Sequence, residues 1–264
     1  MRYDTKPTLF QIALPSHERR MERAVKLCMR LPRRNKREYV VVSVGGSLLV
    51  PDGIDVPFLT AFRSLIRKKT QEGSSFYIVA GGGRLSRNYQ EAAAQVRGEE
   101  TLNREDVDWL GIHSTRLNAH LLRTIFIEEA QTRIIKNPTH RFRGRESVVI
   151  GAGWKPGWST DYCAVMAAKT LGAKKLVNLS NIDYVYTADP RKDPNAQKIE
   201  KLGWADFRKL IPDEWDPGLS SPFDPVAAKE AEALGLEVAI INGTALPEFE
   251  NYLDGKPFVG TVIS

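Results

Sequence analysis

Two apolar runs in this chain each end in a cluster of glycines that opens a helical segment. Tyr39–Val44 leads into Gly45-Gly46-Ser47, and Phe76–Ala80 leads into Gly81-Gly82-Gly83-Arg84. A short run of Val, Ile, Tyr and Phe without polar alternation reads as a strand buried on both faces. A helical pattern directly after it, twice over, reads as strand–turn–helix units feeding one mostly parallel sheet. Few other architectures accept that order.

The rest of the chain keeps the alternation. Helices are expected over about Pro57–Lys69, Arg84–Val96 and roughly Arg104–Glu129, then short strands near Arg133–Lys136 and Ser147–Ile150. A helix at Tyr162–Leu171, a strand at Lys175–Leu179, and helices near Trp204–Leu210 and Asp224–Leu234 follow. Strands at Glu237–Ile241 and Phe258–Ile263 complete the pattern. The expectation is an α/β domain with a parallel central sheet covered by helices on both faces.

Charge divides the chain in two. The formal net charge is +6, but residues 1–37 hold eleven Lys/Arg against three Asp/Glu, a net of +8. The remaining 27 basic and 29 acidic residues give −2, so the basic character belongs to an N-terminal extension and residues 38–264 form the domain. This removes the main reason to read the whole chain as nucleic-acid binding. Within the extension, Met21, Val25, Cys28 and Leu31 fall near one helical face, which suits docking on the domain or a second copy. Contact with nucleic acid or an anionic surface is the other reading of that segment. No apolar run approaches a transmembrane length, and no h-region with a cleavage site follows the N-terminus. Cys28 and Cys163 are the only cysteines, too few for a disulfide framework or a zinc site, and a cytoplasmic location is expected.

The chemistry is concentrated in two later segments. Gly153-Trp154-Lys155-Pro156-Gly157-Trp158-Ser159-Thr160-Asp161 is a turn-rich loop that runs into a helix. A helix start displays unpaired N–H groups and partial positive charge, which suits phosphate. Asn181-Ile182-Asp183-Tyr184-Val185-Tyr186-Thr187-Ala188-Asp189-Pro190 follows a strand and mixes aromatic with hydrogen-bonding groups, as a base and ribose require. Glycine turns let the backbone approach phosphate oxygens, and Arg87 lies one helical turn beyond the second cluster. The same residues have plainer readings. Arg87 and Asp108 read as solvated helix charges, Asp161 as a helix cap, Trp154 and Trp158 as lid packing, and Tyr186 as strand-end packing. No P-loop, G-x-G-x-x-G with a spaced acid, protein-kinase set, G-x-S-x-G elbow or zinc-spaced histidines is present.

Taken in order, Val44-Gly45-Gly46-Ser47, Gly81-Gly82-Gly83 with Arg87, Asp108-Trp109-Leu110-Gly111, Ser159-Thr160-Asp161 and Asn181–Pro190 resemble the amino acid kinase superfamily, and within it the archaeal-type uridylate (UMP) kinase branch. The resemblance runs from about Tyr39 to Ser264. It implies a three-layer αβα sandwich, with the acceptor UMP held by the N-terminal half and ATP by the C-terminal half. It also implies magnesium-dependent conversion of ATP and UMP to ADP and UDP, and a homo-hexamer.

Carried onto this chain, the resemblance puts Gly82 on the UMP phosphate and Gly83 and Arg87 toward the transferred phosphoryl group. Asp108 takes the UMP ribose hydroxyls. Trp154, Lys155, Pro156, Gly157, Trp158, Ser159 and Thr160 wrap the nucleotide. Gly46 and Ser47 meet the ATP phosphates, Ser180, Tyr186 and Asp189 frame the adenosine, and Asp161 orients the reacting groups or the metal. No side-chain set is expected to form a metal site of its own. One departure stands out: many members carry lysine two residues before the double glycine, and here that residue is Ser43. Phosphoryl transfer relies on positioned charge, so Arg87, Lys155, Lys229 and bound magnesium are the candidates to replace it. The competing functions are a superfamily kinase for another small acid or phosphate, and a non-catalytic nucleotide-binding storage or regulatory protein, which Ser43 favours.

Overall fold

The sheet is built chiefly from the apolar runs that the sequence marks as strands. In the computed structural model, which describes residues 37–142, 146–212 and 221–264, the strands are β1 (Tyr39–Val44), β2 (Ser75–Ala80), β3 (Val148–Gly151), β4 (Lys175–Ser180), β5 (Val185–Tyr186), β6 (Lys198–Ile199), β7 (Lys201–Leu202), β8 (Glu237–Asn242) and β9 (Thr261–Ile263). Seven form one sheet in the order β3-β2-β1-β4-β8-β9-β7, and β5 and β6 form a separate antiparallel pair. All neighbours in the large sheet run parallel except β8 and β9. β1 and β4, at its centre, lack the alternation of a half-exposed strand because helices cover both faces.

The helices are α1 (Gly46–Leu49), α2 (Val56–Gln71), α3 (Gly83–Arg97), α4 (Arg104–Ile125), α5 (Thr160–Leu171), α6 (Trp204–Leu210), α7 (Pro225–Ala233) and α8 (Leu246–Leu253). On one face Phe62, Ile66, Leu122 and Phe249 of α2, α4 and α8 pack on Val42, Ile78, Ile150 and Ile241. On the other, Cys163, Ala167, Phe207 and Ala228 of α5, α6 and α7 pack on Val41, Val79, Leu176 and Ile240. The result is the expected three-layer αβα arrangement. α3 buries no residue fully and lies against α4.

Local chemistry fixes the helix starts that matter below. Asp55, Asn103, Ser159 and Asp224 each cap a helix, their side chains accepting a backbone N–H two or three residues on. Pro57, Pro225 and Pro247 occupy first turns, where a missing N–H costs nothing.

Three expectations are corrected. Arg133–Lys136 is not a strand: Ala130 and Ile135 make isolated bridges to Val148 and Gly151 along the open side of β3. The long helix stops at Ile125, where Phe126 turns into the core, rather than reaching Glu129. The last strand starts at Thr261 rather than Phe258, because the chain bends at Val259 and Gly260 before it pairs. The helical face expected at residues 16–31 lies outside the described residues.

Candidate active site

At the carboxyl ends of β1 and β2 the two glycine turns lock into each other. Gly81 N donates to Val44 O at 2.9 Å, and Arg84 N donates to Val50 O at 2.9 Å. A Cβ on Gly46 would overlap the Gly82–Gly83 backbone, and one on Gly81 would overlap Gly46 N. Gly83 adopts φ +67, a conformation that side chains disfavour. The buried amide of Asn118, on α4, donates to Gly81 O (2.8 Å) and Gly82 O (3.1 Å) and pins the second turn from below. The glycines thus serve each other's close approach as well as any ligand.

Beside this joint lies a cavity of about 300 Å³. Gly82, Gly83, Arg87, Asp108, Lys155, Trp158, Ser159 and Thr160, all singled out from the sequence, line it together. Gly111 and Gly153, which belong to motifs read from the sequence, complete the wall with Ser86, Gln90, Ile112 and Thr115, which were missed. Their signal was helical spacing. Gly83, Ser86, Arg87 and Gln90 stand at i, i+3, i+4 and i+7 on α3, and Asp108, Gly111, Ile112 and Thr115 repeat that spacing on α4. Gly111 lets the helices approach, since a Cβ there would sit 3.2 Å from Ser86 Oγ.

Residues 153–159 are tied to α4 in three places. Gly153 N donates to Thr115 Oγ1 (2.8 Å), Arg116 Nη2 donates to Trp154 O (2.9 Å), and Gly157 N donates to Asp108 Oδ2 (2.7 Å). Trp154 and Trp158 meet edge to face at 4.6 Å, and Trp158 meets Tyr162 likewise at 4.2 Å. Lys155 Nζ lies 4.8 Å from the Trp154 ring centre and 4.6 Å from that of Trp158, so both indoles hold the lysine. Trp154, Pro156 and Gly157 belong to this loop without lining the cavity.

Asp161 is not the helix cap. Ser159, with extended φ −71 and ψ 167, takes that place and accepts Tyr162 N at 3.1 Å. Asp161 therefore falls in the first turn of α5, where Oδ1 accepts the Ser43 hydroxyl at 2.9 Å and Oδ2 faces Asp224 N at 3.4 Å. Burial, and the neighbouring Asp224 carboxylate after it, push the Asp161 carboxyl up to about 6, against the pull of the Ser43 hydroxyl. Asp224 is raised too, chiefly by burial, while Ala227 N and the Ser159 hydroxyl bond it and act the other way. Burial lifts the adjacent Cys163 thiol to about 12, which leaves it protonated and inert.

Of the residues expected on the ATP side, Gly83 and Arg87 line the cavity and the others do not. Gly46 and Ser47 open α1, Ser180 ends β4, and Tyr186 lies in β5. Asp189 is engaged by Arg191, whose Nε and Nη2 each donate at 3.0 Å and hold the carboxyl low. Lys229, on α7, is also outside the cavity. Among the described residues no three His, Cys, Asp or Glu side chains cluster as a metal site, and no helix is long and apolar enough to cross a membrane.

Comparison with known proteins bears on the family and the fold. The model of the amino acid kinase family matches residues 38–242. The uridylate kinase of Methanospirillum hungatei is 32% identical over 228 residues, covering 85% of this chain and 94% of that protein. The uridylate kinase of Pyrococcus abyssi is 35% identical over 205 residues, covering 76% and 89%. Among solved structures, uridylate kinase from Archaeoglobus fulgidus superposes with a TM-score of 0.71 at 28% identity, covering 85% of this chain and 99% of that one. UMP kinase from Bacillus anthracis, at 21% identity and a TM-score of 0.69, shares the fold. The chain belongs to the amino acid kinase family.

Proposed function

We propose that this member of the amino acid kinase family is a UMP kinase, transferring the γ-phosphoryl group of MgATP to the phosphate of UMP to give ADP and UDP. The observation that carries the reading is the cavity whose lining combines Arg87, Lys155 and the Gly82–Gly83 turn with Asp108, in a chain 32–35% identical to archaeal uridylate kinases. Two cations and glycine N–H groups for a phosphate, with a carboxylate to accept from a ribose diol, fit a nucleoside monophosphate.

In this reading Gly82, Gly83, Arg87 and Lys155 hold the acceptor phosphate. Asp108 spends one oxygen on Gly157 N and offers the other to the ribose hydroxyls. Residues Trp154 to Thr160 enclose the nucleotide. A UMP phosphate oxygen attacks the γ-phosphorus in line, and the bond to the β,γ-bridging oxygen breaks as ADP leaves. Gly46 and Ser47 meet the ATP phosphates, since α1 interlocks with the acceptor turn. Ser180, Tyr186 and Asp189 frame the adenosine, and Asp161 orients the reacting groups between the two halves. Arg87 and Lys155, both at the cavity, supply the charge that Ser43 does not; Lys229 lies elsewhere. Magnesium needs only one or two carboxylates besides phosphate oxygens, so it enters with the triphosphate as part of the substrate.

Ser43 loses its value as a sign of a non-catalytic protein, because its hydroxyl is bonded to Asp161. Assembly as a homo-hexamer in a reducing cytoplasm belongs to the same proposal. The association is supported by exposed apolar Tyr89 and Val96 on α3 and Leu117 on α4, which further copies would cover, and sedimentation velocity tests the hexamer. The substrate test is ADP release with a panel of acceptors. UMP is expected to be turned over far faster than CMP, AMP or N-acetylglutamate; equal rates across the panel would remove the substrate assignment.

A further inference from the structure

The two central strands each carry one buried polar side chain among apolar strand neighbours. Ser43 in β1 and Asn178 in β4 are register partners, on the sheet face covered by α5 and α7. They are 2% and 6% exposed. A buried hydroxyl or amide destabilises the fold unless bonded, so each must find a partner nearby. Ser43 finds Asp161 (2.9 Å). Asn178 Nδ2 donates to Pro222 O at 3.2 Å.

Pro222 stands two residues before Asp224, with the fully buried Phe223 between them. Asp224 caps α7 through Oδ1 and Ala227 N (2.7 Å), and its own N–H faces Asp161 Oδ2. The contacts therefore close a ring: Ser43, Asp161, the Asp224 backbone, Pro222, Asn178, and back across the strand pair to Ser43. Two carboxylates this close repel, and the nearest rigid element able to hold them in one geometry is the sheet beneath.

We infer that Asn178 is a positioning residue for the phosphoryl transfer: by anchoring Pro222 it sets Asp224 N against one oxygen of Asp161, while Ser43 sets the other. Asn178 does not line the acceptor cavity and acts only through Asp161. The inference rests on the kinase reading above, in which Asp161 orients the reacting groups. A neutral seat suits that task, because a hydroxyl and an amide fix a carboxylate's orientation without neutralising it.

The test is steady-state kinetics of the full chain with UMP and MgATP. Asn178→Leu removes the donor at similar volume, and Asn178→Val, better suited to a strand, replaces it should Leu fail to fold. Loss of alignment is expected to lower kcat about tenfold with both KM values within about twofold. Ser43→Ala is expected to do the same and Ser43→Thr, which keeps the donor, to recover most of the loss. Ser43→Ala combined with the Asn178 variant is expected to cost less than the product of the single losses, since both act on one carboxylate. An Asn178 variant that folds with unchanged kcat, or one that raises both KM values while kcat holds, overturns the inference. Absence of UMP turnover in the unsubstituted chain would instead overturn the kinase reading, so the two failures are separable.

Discussion

Asp108 and Gly157 are joined by a 2.7 Å hydrogen bond from the Gly157 N–H to Asp108 Oδ2, across 49 residues of sequence. The bond ties the long helix α4 to the turn between the two tryptophans. Gly157 has φ +79, so the turn presents its N–H in a conformation that a side chain disfavours. One carboxylate thereby shapes the loop and keeps an oxygen for the ribose, the role proposed for it.

Asp108 variants should separate these two duties. Asp108→Asn can still accept from Gly157 N through its amide oxygen but loses the charge and one acceptor. It is expected to raise KM for UMP by about tenfold, the scale of one lost hydrogen bond to a charged group. Asp108→Ala loses both contacts and is expected to lower kcat as well. Initial rates against UMP concentration check this; equal KM in all three proteins would remove Asp108 from the site.

Among the described residues Lys155 is held by rings rather than by a carboxylate, so its charge stays available to an anion. Lys155→Met, which keeps length and loses charge, is expected to raise KM for UMP about tenfold and to weaken the salt dependence of KM. Trp158→Leu frees the lysine and is expected to give part of that effect, with little added loss in the double variant. Additive losses would mean that Trp158 contacts the nucleotide independently of Lys155.

The Asp161 carboxyl, raised to about 6, gives a pH dependence of definite sign. Its ordinary value is near 4, so between pH 4 and 6 the folded protein binds the extra proton. Stability from this group is then largest below pH 4 and falls as pH rises through 6. Asp161→Asn is expected to lower kcat by on the order of 10²-fold if the group orients the transfer. Above pH 6 it is expected to leave Tm unchanged or higher by the equivalent of about 1–3 kcal/mol. In the unsubstituted protein kcat should decline below about pH 6. Loss of activity together with a large drop in Tm would mark Asp161 as a structural group only.

The interlocked turns should be the least tolerant backbone in the domain. Gly46→Ala would drive a methyl into the Gly82–Gly83 backbone, and Gly83→Ala would add strain at φ +67. Each is expected to cost about 2–4 kcal/mol, read as a lowered midpoint of urea unfolding. Gly53→Ala, with open space around it, is the control and should change little.

Much of this was legible in the sequence because local chemistry and global fold agree. Apolar strands feeding glycine turns gave β1 and β2, and the helical segments that follow those turns gave α2 and α3. Segments whose pairing depends on distant partners were not legible. The β5–β6 pair is two residues a side and forms only because Val185 and Tyr186 find Ile199 and Lys198. α8 starts at Ala245-Leu246-Pro247 without a polar cap. In Ser159-Thr160-Asp161 three capping residue types stand in a row, and backbone conformation alone decides that Ser159 caps while Asp161 turns toward Ser43. Within the site, the glycine turns, Arg87, Asp108 and the tryptophan loop were readable, but not the grip of two indoles on Lys155 or the Asn178–Pro222 anchor. Those depend on elements separated by 44 residues or on ring orientation, neither of which leaves a pattern in the chain.

The central claim is the transfer itself, and it is tested most directly by incubating the chain with magnesium, UMP and ATP labelled in the γ-phosphate and separating the nucleotides. The label is expected in the β-phosphate of UDP, in equal amount to the ADP formed, and to be absent when UMP is omitted. Label recovered only as inorganic phosphate or as unchanged ATP, with UMP intact, would contradict it.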